Sequence, residues 1–206
     1  MMKQTLTSLA LVALAGSIGR AQSPVRLAVS PDSKLSIEGT SNLHGWECKA
    51  STIDAIVTAD PEFKDAVDFP KLLKTVQVKI PVTSLKCGHG GMDKNLYKAL
   101  KSDAEPQIRY SLGSVEAVKS EGSSYTLSTV GTLEIAGKEN TVKIDVTASR
   151  LANGTVKAVG SVPVLMTEYG IQPPTAMFGT LKTGDKVTVQ FELLVSPQTI
   201  VAAARP

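Results

Sequence analysis

The stretch Tyr125–Ala148, YTLSTVGTLEIAGKENTVKIDVTA, decides how the rest of the chain is read. On its first arm Leu127, Thr129, Gly131, Leu133 and Ile135 take the odd positions. Thr126, Ser128, Thr132 and Glu134 take the even ones, with Val130 the exception. On the second arm Val142, Ile144, Val146 and Ala148 alternate with Thr141, Lys143, Asp145 and Thr147. Successive strand side chains point to opposite faces, so both arms read as half-buried strands. The link Ala136-Gly137-Lys138-Glu139-Asn140 carries a Gly and charges and reads as a hairpin turn. The hairpin has one apolar face and one wet face.

The same alternation recurs in both directions. Upstream, Gln107–Val118 alternates through Ile108, Tyr110 and Leu112, and Thr75–Leu85 sets Val76, Val78, Ile80 and Val82 against polar neighbours. Pro81 has no amide proton and is expected at an edge or a bulge. Gly45–Ala59, Lys34–Thr40 (with Leu35 and Ile37) and Val25–Val29 are further strand candidates, and Glu62–Lys74 reads as loop plus one helical turn. Downstream, Asn153-Gly154 signals a tight turn leading into Val156–Met166. A polar, Pro-rich loop over Thr167–Thr183 precedes a last strand, Lys186–Val195, with Val187, Val189 and Phe191 on one face. Met92–Lys101 is the one convincing helix, with Met92, Leu96 and Leu100 at four-residue spacing behind Gly88-His89-Gly90-Gly91.

This pattern predicts an all-β fold of about eight strands with one short helix inserted. Nearly every strand has a single apolar face. One sheet closed around one interior satisfies them all and leaves no edge. Such a barrel is either packed solid or holds one small ligand.

Composition narrows the function. The net charge of +3 is scattered, and aromatics make up 4% of the 206 residues. Neither a basic stripe nor a stacking platform for nucleic acid is present, so no nucleic-acid partner is expected. The first residues are of a different kind. Met1-Met2-Lys3-Gln4 is positive, Leu6–Ile18 is apolar and small, and Gly19-Arg20-Ala21 suits a signal peptidase. We therefore expect a signal peptide over 1–21, a folded domain over 22–196 and a disordered tail over 197–206, in a periplasmic or secreted protein. The apolar run is shorter than the roughly 20 residues needed to span a bilayer.

Export sets the reading of Cys48 and Cys87, an even pair in an oxidising compartment and hence an expected disulfide. The alternative joins Cys87, His89, Met92, His44 and Cys48 in a soft-ligand copper site; the disulfide reading leaves no metal site. Asp93, Asp103 and Glu105 near His89 suggest acid–base work only weakly, because no nucleophile pattern accompanies them. No catalysis and no cofactor are expected. Trp46 belongs either at the barrel mouth, against a ligand, or in the core.

Three segments resemble the YceI-like family of exported bacterial lipid-binding barrels. Gly131-Thr132-Leu133-Glu134-Ile135-Ala136-Gly137, followed by Thr141–Ile144, is similar to its central hairpin. Asp93, Leu96 and Leu100 followed by Pro106–Tyr110 are similar to its helix and Pro-led strand. Gly160, Glu168–Ile171 and Val187–Leu193 are similar to its C-terminal part. Lys101–Ala104 stands where the family usually has an aromatic pair, and the two cysteines lie outside its general pattern.

The resemblance implies an eight-stranded, lipocalin-like antiparallel barrel with its helix near the mouth. It also implies a polyisoprenoid, such as a quinone tail, as ligand, with transient contact to a membrane or a lipid donor. The expected lining falls into four groups. Leu35, Ile37 and Trp46 come from the first strands, and Val76, Val78 and Ile80 from the next. Leu96, Leu100, Ile108 and Tyr110 follow, then Leu127, Leu133, Ile135, Val142 and Ile144. Val187, Val189 and Phe191 close the set. An aliphatic lining suits a hydrocarbon chain, whereas a sugar or nucleotide needs convergent polar groups. A packed barrel serving as an envelope interaction module, and a copper- or haem-linked redox protein, are the alternatives.

Overall fold

The computed structural model describes residues 23–198 except 65, 67 and 68. The expected signal peptide and all of the tail beyond Gln198 lie outside the described residues. The segments β1 (Val25–Val29), β2 (Lys34–Ser41), β3 (Gly45–Ala50) and β4 (Asp54–Ala59) come first. They are followed by β5 (Leu73–Pro81), β6 (Leu85–Lys86), the helix α1 (Gly90–Ala99) and β7 (Gln107–Glu121). Then come β8 (Ser124–Ile135), β9 (Lys138–Arg150), β10 (Val156–Leu165), the short β11 (Thr175–Ala176) and β12 (Leu181–Pro197).

Pairing reduces these segments to eight staves. The chain β1–β4–β5–β7–β8–β9–β10–β12 is antiparallel throughout, and β12 returns to pair with β1, closing an eight-stranded barrel. On the side where it meets β1, β12 also pairs with β2, which pairs with β3, which pairs with β6. Thus β1 and β2, β3 and β4, and β5 and β6 are each one long stave interrupted midway. Closure pairs each stave on both sides over part of its length, with β6 partnered by β3 alone, and covers most of the edge that a half-apolar sheet would expose.

The interruptions correct two expected strands. Gly45–Ala59 breaks over 51–53, and Thr75–Leu85 starts two residues earlier and breaks into a 3-10 turn over Val82–Ser84. Pro81 ends β5 at that break, where the missing amide proton costs the ladder nothing. Serines bridge the gaps. The Ser51 amide and hydroxyl both donate to the Ser84 carbonyl (3.0 and 3.1 Å), and the Leu194 amide donates to the Ser33 hydroxyl (3.0 Å).

In the central hairpin the inward set is the odd one. Tyr125, Leu127, Thr129, Leu133 and Ile135 are buried. The turn is tighter than the sequence suggests: only Ala136 (φ 51°) and Gly137 (φ 80°) link the arms, and Lys138–Asn140 already belong to β9. Positive φ at both central residues matches the twist of the flanking strands. Two further expectations shift. The loop over 167–183 contains a 3-10 turn at Met166–Tyr169 and a β11–β12 hairpin, and the last strand runs on through Pro197, opposite Leu27.

The core has two parts. One end of the barrel is filled by Phe63, Phe69, Tyr125, Leu127 and neighbours from β1, β4 and β10. Phe63 meets Phe69 edge-on, and Phe69 meets Tyr125 edge-on, at centroid distances of 5.5 and 5.2 Å. Arg150 lies 4.7 Å over the Phe69 ring and 5.4 Å over the Phe63 ring, and donates from Nη2 to the Phe63 carbonyl (2.6 Å). The other part surrounds the lumen and runs up to α1.

Candidate ligand cavity

The lumen is hollow. A cavity of about 1120 Å³ runs inside the barrel and reaches the surface at the end carrying α1. Among the residues expected to line it, all but Val142 do so. Leu35, Ile37 and Trp46 form one side, Val76, Val78, Ile80, Ile108 and Tyr110 the next, and Leu127, Leu133, Ile135 and Ile144 the third. Val187, Val189 and Phe191 close the circle, while Leu96 and Leu100 of the helix region cap it. Val142 packs half-buried against the core without bordering the space. Its strand partner is Gly131, across which the Tyr110 ring lies, so the ring forms the wall at that level.

Three aromatic rings of the lining, those of Trp46, Tyr110 and Phe191, each lie close against a glycine, in space that a side chain there would fill. A Cβ on Gly39 would stand 2.3 Å from Trp46 Cζ2, one on Gly131 2.6 Å from the Tyr110 ring, and one on Gly160 2.5 Å from Phe191 Cζ. Gly39 is the direct cross-strand partner of Trp46, and Gly160 of Phe191. An aromatic laid over a strand glycine covers exposed backbone and keeps its bulk out of the centre. Trp46 is held there by its indole N–H, which donates to the Thr40 carbonyl (3.2 Å).

The few polar groups inside are already engaged. Thr129 is buried and donates to the Ile144 carbonyl (2.8 Å), and its side chain shares a hydrogen bond with the Tyr110 hydroxyl. Burial raises the Tyr110 phenol above its ordinary pKa, and the bond to Thr129 opposes this in part. Tyr169, also raised chiefly by burial, is bonded to the Asn140 side chain. Both phenols therefore stay neutral at physiological pH.

Several lining residues escape the sequence reading. Ala158, Val162 and Val164 of β10 and Leu193 of β12 continue alternations that the sequence displays, so the signal was there. Met166, Ile171, Pro174 and Leu181 come from the segment that folds over the mouth, where no periodicity announces them; Tyr169, in the same segment, is expected from the sequence either to close one end or to anchor the loop, and it borders the cavity.

Cys48 and Cys87 form a disulfide, joining β3 to the segment that leads into α1. Both thiols are consumed, so the copper constellation loses its thiolates. The Asp93 carboxylate accepts from the Cys87 amide (2.8 Å) and faces Lys86 at 4.0 Å, a structural use of that carboxylate beside the disulfide. Tyr97 donates from its hydroxyl to the Leu85 carbonyl (2.9 Å) and accepts from Lys86 (2.6 Å), fixing the helix to β6. Among the described residues no group of three or more His, Cys, Asp or Glu side chains could hold a metal, and no helix is long and apolar enough to cross a membrane.

An antiparallel eight-stave barrel with its helix between the third and fourth staves is matched by the YceI-like domain over residues 28–195. The chain belongs to the YceI-like family. Among solved YceI-like and related structures, BcnA of Burkholderia cenocepacia superposes with a TM-score of 0.64 at 20% identity, covering 82% of this chain and 100% of that one. A polyisoprenoid binding domain from Saccharophagus degradans, implicated in plant cell wall breakdown, gives 0.64 at 10% identity, covering 84% of this chain and 99% of that one. The Campylobacter jejuni YCEI protein gives 0.53 at 15% identity, covering 96% and 99%. At these identities the likeness is one of fold. No curated protein matches the YceI-like chain.

Proposed function

We propose that this YceI-like barrel is an exported, non-catalytic carrier that holds a polyisoprenoid, or a comparable long apolar chain such as a quinone tail, in its lumen. The observation that carries the reading is the apolar cavity of about 1120 Å³ with rings laid on glycines in its wall. Each methylene moved from water into such a space contributes about 0.8 kcal/mol. The hydroxyls of Thr129, Tyr110 and Tyr169 are already bonded within the protein, so these groups offer a guest little but dispersion and exclusion of water. The structural likeness to the polyisoprenoid binding domain of Saccharophagus degradans agrees with that chemistry. The disulfide and the N-terminal sequence support a periplasmic or secreted location.

The test is solvent extraction of the purified full chain followed by mass spectrometry. A prenyl lipid recovered near one per protein supports the proposal. Protein that is repeatedly lipid-free, and that takes up no polyprenol or long-chain quinone on incubation, overturns it.

A further inference from the structure

Two bulky apolar side chains stand in solvent at the same end of the barrel as the cavity mouth. Leu43, at the tip of the β2–β3 hairpin, is 72% exposed, and Phe178, at the tip of the β11–β12 hairpin, is fully exposed. Phe178 also has φ 54°, a left-handed conformation that bulky residues seldom adopt and that here turns the ring outward. The two tips are one unit. Asn42 donates its amide to the Lys182 carbonyl (3.0 Å) and its side-chain N–H to the Thr180 carbonyl (2.9 Å), and it accepts from the Lys182 amide (2.9 Å). Residues of both hairpins, including Ser41, His44, Thr175 and Leu181, line the cavity, as do Gly91, Met92 and Lys94 at the start of α1.

We propose that this rim is a docking surface for an anionic lipid bilayer, into whose interface Leu43 and Phe178 insert. Charge favours that occupant. Lys94 borders the mouth and Lys182 adjoins the Phe178 hairpin. Among the described residues neither takes part in an ion pair, whereas Glu47, the carboxylate bordering the opening, is paired with Lys49 at 3.2 Å. Exposed apolar anchors flanked by free cations are the combination that binds an anionic membrane interface. The rim joins the reading of the lumen as a lipid site, on which its purpose rests: a bilayer against the mouth lets an apolar chain pass between membrane and lumen without crossing water.

Flotation of the purified full chain with phosphatidylcholine vesicles, with and without phosphatidylglycerol, tests this. The wild type is expected to float with the anionic vesicles and to be released by high salt. The double variant Leu43→Ser/Phe178→Ser is expected to lose binding about tenfold, as two interfacial anchors are removed. Leu151→Ser, an exposed apolar residue at the opposite end, is expected to bind as the wild type does. Should the double variant fold poorly by thermal melting, Phe178→Ser alone is expected to show a partial loss. Absence of vesicle binding by the wild type, equal loss in Leu151→Ser, or self-association that depends on Leu43 and Phe178 in place of vesicle binding overturns the proposal. Lipid extraction reads the lumen independently, so an empty lumen and a rim that ignores membranes give different results.

Discussion

The indole of Trp46 lies so closely across Gly39 that a methyl group there would stand 2.3 Å from Cζ2. The pair trades a side chain on β2 for a ring on β3 and leaves the lumen clear beside it. Gly39→Ala is therefore expected to push the ring inward and to weaken the indole bond to Thr40, destabilising by about 1–3 kcal/mol. Trp46 is the single tryptophan. Its emission maximum reports the displacement without interference, and retained lipid should fall with it.

Removing the Cys48–Cys87 bond frees a segment of 39 residues' separation. The chain-entropy model puts the loss near 4 kcal/mol. For a domain of this size that corresponds to a fall in Tm of roughly 8–16 °C. Melting with and without reductant, and of Cys48→Ser/Cys87→Ser, checks it. An unchanged Tm in both would show that the bond is not what holds β3 to the helix.

The closed end rests on Phe69, which contacts Phe63, Tyr125 and Arg150 through its ring. Phe69→Ala is expected to cost about 3–5 kcal/mol. Arg150→Lys keeps the charge but loses the planar group that both stacks and reaches two carbonyls, those of Phe63 and Gly154. It should cost a smaller amount, of order 1–3 kcal/mol, measurable by urea unfolding.

Tyr110 and Tyr169 both have raised pKa values, each chiefly through burial. The folded state holds these phenols neutral, so as pH rises past the ordinary value of 10.0 the unfolded chain releases its protons first. Their contribution is complete below that pH and is lost above it. Melting curves from neutral to strongly alkaline pH should show a decline that Tyr110→Phe makes shallower. A decline of the same slope in that variant would assign the effect to other groups.

How far the fold can be read from the sequence differs from stave to stave. Where a strand has one buried face, as in Leu127–Ile135 or Val187–Phe191, the two-residue period reports that face directly. Closure is legible too, because nearly every strand has a single apolar face. The breaks at 51–53 and 82–84 were not, since the serines that bridge them bond partners more than thirty residues away. The openness of the lumen was equally hidden. Leu35 or Val189 looks the same around a guest as around other side chains. Only the cross-strand registers of Gly39 with Trp46 and Gly160 with Phe191 show where the rings go.

The breaks in the first three staves lie side by side, whereas β7, β8, β9 and β12 each continue as one strand for 15, 12, 13 and 17 residues, with register shifts in the β7–β8 and β12–β2 ladders but no interruption. The tube is thus a continuous half-pipe joined to a creased one. A girder flexes where it is scored, and the scored side here carries β2, β3 and β6, the disulfide and the helix. Any dilation of the bore to admit a thicker guest would be taken up along that crease, with the hairpin 125–148 serving as the fixed jaw.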